Sequence, residues 1–191
     1  MQCPFCQTLL MANASECPAC RLTFPRTSAL VGASPRLAPV VADTTRSLRT
    51  AEQGRLKARI AEIQRRFPQL VMQVVMQVVM HQFPDEHPFS MHVFWLFNAG
   101  NFAGDSHRGK DNHALLIALD PTRGEAAIMP GYGLETFLKP EALAHLLELA
   151  GPAWNDRRWA DGVLQVLDGL EILLESVAVP EDAAALTKGD F

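Results

Sequence analysis

The chain has 191 residues, 48% of them apolar and 20% charged, with a formal net charge of −4. That is room for one ordinary domain plus a small accessory module, with enough apolar side chains for a packed core. No run reaches the roughly 18 uninterrupted apolar residues of a membrane span, and the N-terminus lacks the charged-then-apolar pattern of an export signal, so a cytoplasmic protein is expected.

All four cysteines lie in the first twenty residues, as Cys3-Pro4-Phe5-Cys6 and Cys17-Pro18-Ala19-Cys20 with ten residues between the two pairs. Each C-x-x-C knuckle lets two thiolates converge on one ion, and two knuckles complete a closed tetrahedral site. A segment this short cannot build a core, so a structural Zn²⁺ on Cys3, Cys6, Cys17 and Cys20 would supply most of its folding free energy. Disulfides or free thiols are the alternatives, and a cytoplasmic setting argues against disulfides. Residues 1–24 therefore read as a zinc ribbon, resembling the short knuckles at the start of many bacterial proteins.

From residue 25 to 48 the composition turns to Ser, Ala, Pro, Val and Thr, with Pro25, Pro35 and Pro39, which is the chemistry of a flexible linker. Thr50 to Phe67 then carries Leu56, Ile60, Ile63 and Phe67 on one helical stripe, and Pro68 ends it. Residues 1–66 hold ten Lys/Arg against four Asp/Glu, and residues 67–191 hold seven against seventeen. The basic half could touch nucleic acid, but Arg21 is its one base before the linker and no aromatic residues interleave with basic ones, so nucleic-acid binding is disfavoured.

Gln69 to Phe83 contains QVVM twice, with every even position from Leu70 to Met80 apolar. The valines favour a central strand, while the four-residue recurrence of Gln and Met also fits a helix. Asp85 is placed to cap a helix over about Pro88 to Asn98 that buries Phe89, Val93, Leu96 and Phe97, with His81, His87 and His92 read as surface or edge residues. Asn101 to Asn112 is a polar loop in which Asp105, Asp111 and Asn112 offer hard oxygen ligands suited to Ca²⁺ or Mg²⁺, although ordinary loop polarity accounts for the same residues.

Ala114 to Leu119 reads as a buried strand, Asp-Pro-Thr-Arg-Gly as a turn, and Glu125 to Met129 as the returning antiparallel strand. Pro130-Gly131-Tyr132-Gly133 bends into a helical turn at Leu134 to Leu138. A helix over Pro140 to Ala150 should stop at Gly151-Pro152, and Asn155 or Asp156 should start a last helix to about Ser176. Residues 179–191 form an acidic tail.

Asp111-Asn112 before Leu115-Leu116-Ile117, followed by Gly131-Tyr132-Gly133-Leu134-Glu135, resembles the TPM domain, over roughly residues 49–178. That family includes a thylakoid-lumen acid phosphatase and many bacterial envelope proteins. The resemblance implies an α/β fold, a small mixed β-sheet of roughly four strands sandwiched by helices, of which three strands are clear from the residues. It also points to the strand-end loops around Asp111, Asn112 and Glu135, which the family associates with divalent cations and a proposed phosphatase activity.

Two functions follow as expectations. A closed four-thiolate site and the lack of a recognisable nucleophile–base set favour a binding or adaptor module for a protein partner, with a divalent cation as a further ligand. The alternative is a metal-dependent phosphatase in which Asp105, Asp111 and Glu135 hold the cation and Arg108 or Lys110 steadies the phosphoester.

Overall fold

A computed structural model of the chain describes residues 3–11, 14–33, 37–66, 75–100, 114–131, 133–135 and 137–178. Its elements in chain order are α1 (Phe24–Val31), β1 (Val41–Asp43), α2 (Thr50–Arg66), β2 (Val75–Met80), α3 (Phe89–Ala99), β3 (Ala114–Asp120), β4 (Glu125–Pro130), α4 (Pro140–Asn155) and α5 (Trp159–Ala178). The strands form one mixed sheet in the order β1-β2-β3-β4. β1, β2 and β3 run parallel and β4 returns antiparallel to β3, with Ile117 opposite Ile128 and Asp120 opposite Glu125.

Alternation along the strands divides the core into two layers. Val41, Val78, Met80, Leu115, Ile117 and Leu119 face α2, α4 and α5, whose Leu56, Ile60, Ile63, Leu143, Val163, Leu167 and Leu170 cover them. Ala42, Val79, Leu116 and Ala118 face α3, through Phe89, Val93, Trp95 and Leu96. Helices therefore cover both faces of a mixed sheet, as the sequence predicts.

Several expectations need correction. Residues 25–48, read as a flexible linker, contain α1 and β1. Thr23 caps α1 by accepting from the Arg26 N–H at 3.3 Å, and β1 is held by tertiary pairing, its register setting Val41 against Val78. A three-residue strand is too short to show a period, which is why composition alone misses it. Pro88, not Asp85, stands at the N-cap of α3, and Asp85 instead lies 3.7 Å from Arg123. His92 is buried, with Nε2 3.0 Å from the Pro84 carbonyl oxygen, because it packs beside Phe83 in the connection after β2.

α4 runs through Gly151-Pro152 to Asn155. Pro152 sits in its last turn, where buried Ala150 and Ala153 hold the helix despite the lost backbone donor. Asn155 and Asp156 thus end α4 instead of starting α5. The Arg158 N–H donates to Ala153 O at 2.8 Å and the Arg157 N–H to Trp154 O at 2.9 Å, with Arg157 at φ 58°. This is a Schellman closure with arginine where glycine is usual. The other expectations within 69–74 and in the tail at 179–191 lie outside the described residues.

α4 and α5 pack closely through glycines: a Cβ built on Gly162 would run into the Trp154 indole. Across the next contact, Glu171 on α5 takes Arg59 at 2.5 Å and Arg66 at 3.0 Å from α2. The Arg59 hydrogen bond holds its carboxyl below the usual carboxylate range, with Arg66 adding to it.

Gly162→Ala should lower the urea midpoint by an amount equivalent to about 1–3 kcal/mol, because a rigid indole cannot yield as a flexible side chain does. Glu171→Gln should cost about 1–3 kcal/mol at pH 7 by leaving two guanidinium groups short of a charged acceptor. Since the native pKa is depressed, the carboxylate stabilises the fold above the ordinary glutamate range and loses that contribution as pH falls through the native value. The gap between wild type and Glu171→Gln, read from urea midpoints, should therefore close below about pH 4.

Candidate functional site

The two cysteine knuckles fold alike. Cys3 N–H donates to Thr8 O and Gln7 N–H to Cys3 O, each at 2.9 Å; Cys17 N–H donates to Leu22 O at 2.9 Å and Arg21 N–H to Cys17 O at 2.8 Å. In each, the residue after the second cysteine takes the left-handed conformation, Gln7 at φ 61° and Arg21 at φ 56°. These turns aim the paired thiols of each knuckle at one point.

The four sulfurs lie within 4.8 Å of one another, with Cys3–Cys20 and Cys6–Cys17 each at 3.6 Å. Metal–sulfur bonds of about 2.3 Å in a tetrahedron require sulfurs about 3.8 Å apart, so the cluster is sized to hold one ion. A disulfide needs about 2.05 Å, and all four cysteines are free thiols in this structure. Thr8, whose Oγ1 is 3.2 Å from Cys6 Sγ, draws that thiol down to about 6, while desolvation pushes Cys20 up to about 12. A bound cation would hold all four as thiolates. Among the described residues no second group of three or more His, Cys, Asp or Glu side chains converges in this way.

The knuckles are docked, not tethered. Cys3, Cys17 and Leu22 bury Met91 of α3, and Ser90 Oγ donates to Pro4 O at 2.6 Å. Arg26 of α1 reaches the Cys20 and Arg21 carbonyl oxygens at 3.3 and 3.5 Å, and Phe24 meets Phe94 of α3 edge-on at 6.4 Å.

Glu135 lies in the turn after β4, half exposed. The Gly131 N–H donates to Ala114 O at 2.8 Å, which places this turn at the end of the hairpin where the chain enters β3. Glu135 and Lys139 line an apolar groove of about 560 Å³ along the edge strand β4, walled by Phe94 and Phe97 of α3, Leu143 and Leu147 of α4, and Pro4 of the first knuckle. Asp105, Asp111 and Asn112, the other expected cation ligands, lie outside the described residues, as do Arg108 and Lys110.

The opposite end of the sheet holds a second cavity, of about 740 Å³, that motif reading does not find. Thr44, Thr45 and Ser47 after β1, His81 and Gln82 after β2, Pro121 and Thr122 after β3, and Arg157 and Trp159 at the α4–α5 corner line it. His81 Nδ1 is 2.7 Å from Thr44 Oγ1, and burial lowers the His81 pKa despite the opposing pull of Asp120. Four separate connections contribute, so no local signature marks the site.

Gln7→Gly and Arg21→Gly should each stabilise their knuckle by about 1 kcal/mol, since glycine adopts φ near +60° without the side-chain penalty. The expected readout is metal retained against several-fold more competing chelator than the wild type withstands.

In comparison with known proteins, the family model described as TPM domain matches residues 41–172, beginning at β1. No curated protein matches the chain. Among solved structures, the N-terminal domain of a protein from P. gingivalis is 17% identical with a TM-score of 0.56, over 82% of this chain and 93% of that one. The N-terminal domain of a Corynebacterium glutamicum protein is 16% identical with a TM-score of 0.50, over 86% of each chain. At these identities the likeness is one of fold. Matched over most of its length, the chain belongs to the TPM-domain family.

Proposed function

We propose that the protein is a cytoplasmic binding module, in which Zn²⁺ on Cys3, Cys6, Cys17 and Cys20 rigidifies an N-terminal docking element fused to the TPM domain, and the partner is a protein. The observation that carries this reading is the convergence of four sulfurs within 4.8 Å on knuckles packed against α3. Zinc suits an all-thiolate tetrahedron with no open position, a design that supports structure and not catalysis. Free thiolates of this kind belong in a reducing compartment. Among the described residues no helix is long and apolar enough to cross a membrane. On the outer side of the knuckles Phe5, Leu9 and Met11 are 46, 77 and 85% exposed, an apolar display suited to a protein partner.

A second reading is a metal-dependent phosphatase at the end of the β3–β4 hairpin where the chain enters β3. It draws on Glu135, in the turn after β4 whose Gly131 N–H donates to Ala114 O at the start of β3, and on Asp111 and Asn112, which precede that strand in sequence. In it Ca²⁺ or Mg²⁺ would take Asp105, Asp111, Asn112 and Glu135 as ligands.

Metal analysis of protein purified without chelator should find one zinc per chain, lost in Cys3→Ser. Protein free of metal under reducing conditions would end the zinc reading. Hydrolysis of p-nitrophenyl phosphate should be absent or should vanish in Asp105→Ala/Asp111→Ala. Activity that survives the double substitution rules out the cation site as drawn.

A further inference from the structure

At the C-terminal ends of β1 and β2 the chain leaves the sheet in opposite directions, into α2 over one face and α3 over the other. Adjacent strand ends that diverge in this way open a crevice, and open α/β sheets take their ligands there. The 740 Å³ cavity occupies that crevice, with Thr44 and Thr45 on one side and His81 and Gln82 on the other.

The charge inside the crevice is one-sided. Among the described residues no carboxylate lines it. Asp43, at the end of β1, accepts from the Thr45 N–H at 3.0 Å, the Thr45 hydroxyl at 2.7 Å and the Leu48 N–H at 2.7 Å. Asp120, at the end of β3, accepts from Phe83, Thr122 and Arg123 N–H groups at 2.7, 2.8 and 3.1 Å. Both acids are thus committed to backbone. Arg158 pairs with Asp156 and Asp161, leaving Arg157 as the lining charge, with no ion pair among the described residues. The Schellman closure fixes its backbone at φ 58°.

From this arrangement we infer that the crevice is a binding site for a small organic phosphate. The guanidinium of Arg157 offers a planar fork that matches two phosphate oxygens. The Thr122 hydroxyl and the Gln82 amide, from two other connections, can reach further oxygens, and Thr44 occupies His81 Nδ1, which leaves Nε2 as that ring's remaining nitrogen for a ligand. Donors spread over three connections suit a tetrahedral group with several oxygens better than a planar carboxylate. The volume accommodates a sugar phosphate or a nucleoside monophosphate. This site lies at the other end of the sheet from Glu135 and stands apart from the zinc and phosphatase readings; it binds, and no reaction is assigned to it.

The test is an amide-shift titration of the full metal-loaded chain with inorganic phosphate, ribose 5-phosphate, adenosine monophosphate and citrate. The expected result is saturable shifts at Thr44, Gln82 and Thr122 with the phosphate compounds, tighter for the organic phosphates than for phosphate alone. Arg157→Gly should weaken them at least tenfold while keeping or raising the thermal midpoint, because glycine suits the left-handed position. Arg157→Lys, which keeps the charge but loses the fork, should fall between. Unsaturable shifts, citrate binding as tightly as the phosphates, or an Arg157→Gly variant that binds like wild type would overturn the assignment.

Discussion

Every residue of β3 from Ala114 to Asp120 is buried, most of them completely. A strand closed to water on both sides must be roofed on both sides, and most of the architecture follows from that demand. α2, α4 and α5 supply one roof and α3 the other. Because β1, β2 and β3 follow one another in the same direction across the sheet while α2 and α3 lie on opposite faces, the two crossovers have opposite hands. One of them runs against the strong right-handed preference of parallel connections. The same divergence opens the crevice between the ends of β1 and β2. Burial of β3 and the existence of a cleft at its neighbours' ends are thus two consequences of one constraint.

A carboxylate at the buried end of such a strand would ordinarily be costly. Asp120 escapes that cost because both of its oxygens accept backbone N–H groups, one from the chain leaving β2 and two from its own turn. It therefore ties the ends of β2 and β3 together and closes the hairpin in the same stroke. Asp43 repeats the device at the end of β1, reaching forward to Leu48 just before α2 begins. In both cases the acid shapes a loop and removes its own negative charge from the crevice wall.

What could be read from the residues, and what could not, divides along these lines. ALLIAL and its Asp-Pro-Thr-Arg-Gly turn announce β3 and β4, since length, apolarity and turn chemistry are all local. The stripe of Leu56, Ile60 and Ile63 announces α2 for the same reason, and the cysteine spacing carries its own geometry. β1 has three residues and exists only because β2 offers it an edge. Pro152 was expected to end α4, yet packing of Ala150 and Ala153 outweighs one missing donor. His92 looks like a surface residue until α3 is rotated against Phe83. The second cavity is distributed over four connections, and Thr44, His81, Thr122 and Arg157 are each unremarkable where they stand in the sequence. Of the expected oxygen ligands, Glu135 alone falls among the described residues, at the end of the hairpin where the motif put it.

The cysteine module is better understood from α3 than from its own sequence. α3 buries Phe89, Met91, His92, Val93, Trp95 and Leu96, positions that reach around most of the helix. A helix apolar on nearly all sides needs more cover than one sheet face provides. The sheet takes Val93 and Leu96, while Met91 is enclosed by Cys3, Cys17 and Leu22, and α1 lies against the same helix through Phe24. The knuckles thus complete the second layer of the domain, and a metal that organised them would act on the packing of α3 as well as on its own twenty residues. Pro4, which follows Cys3 in the first knuckle, also walls the groove along the edge of β4, so the cysteine module supplies part of that groove's lining as well as part of the cover over α3.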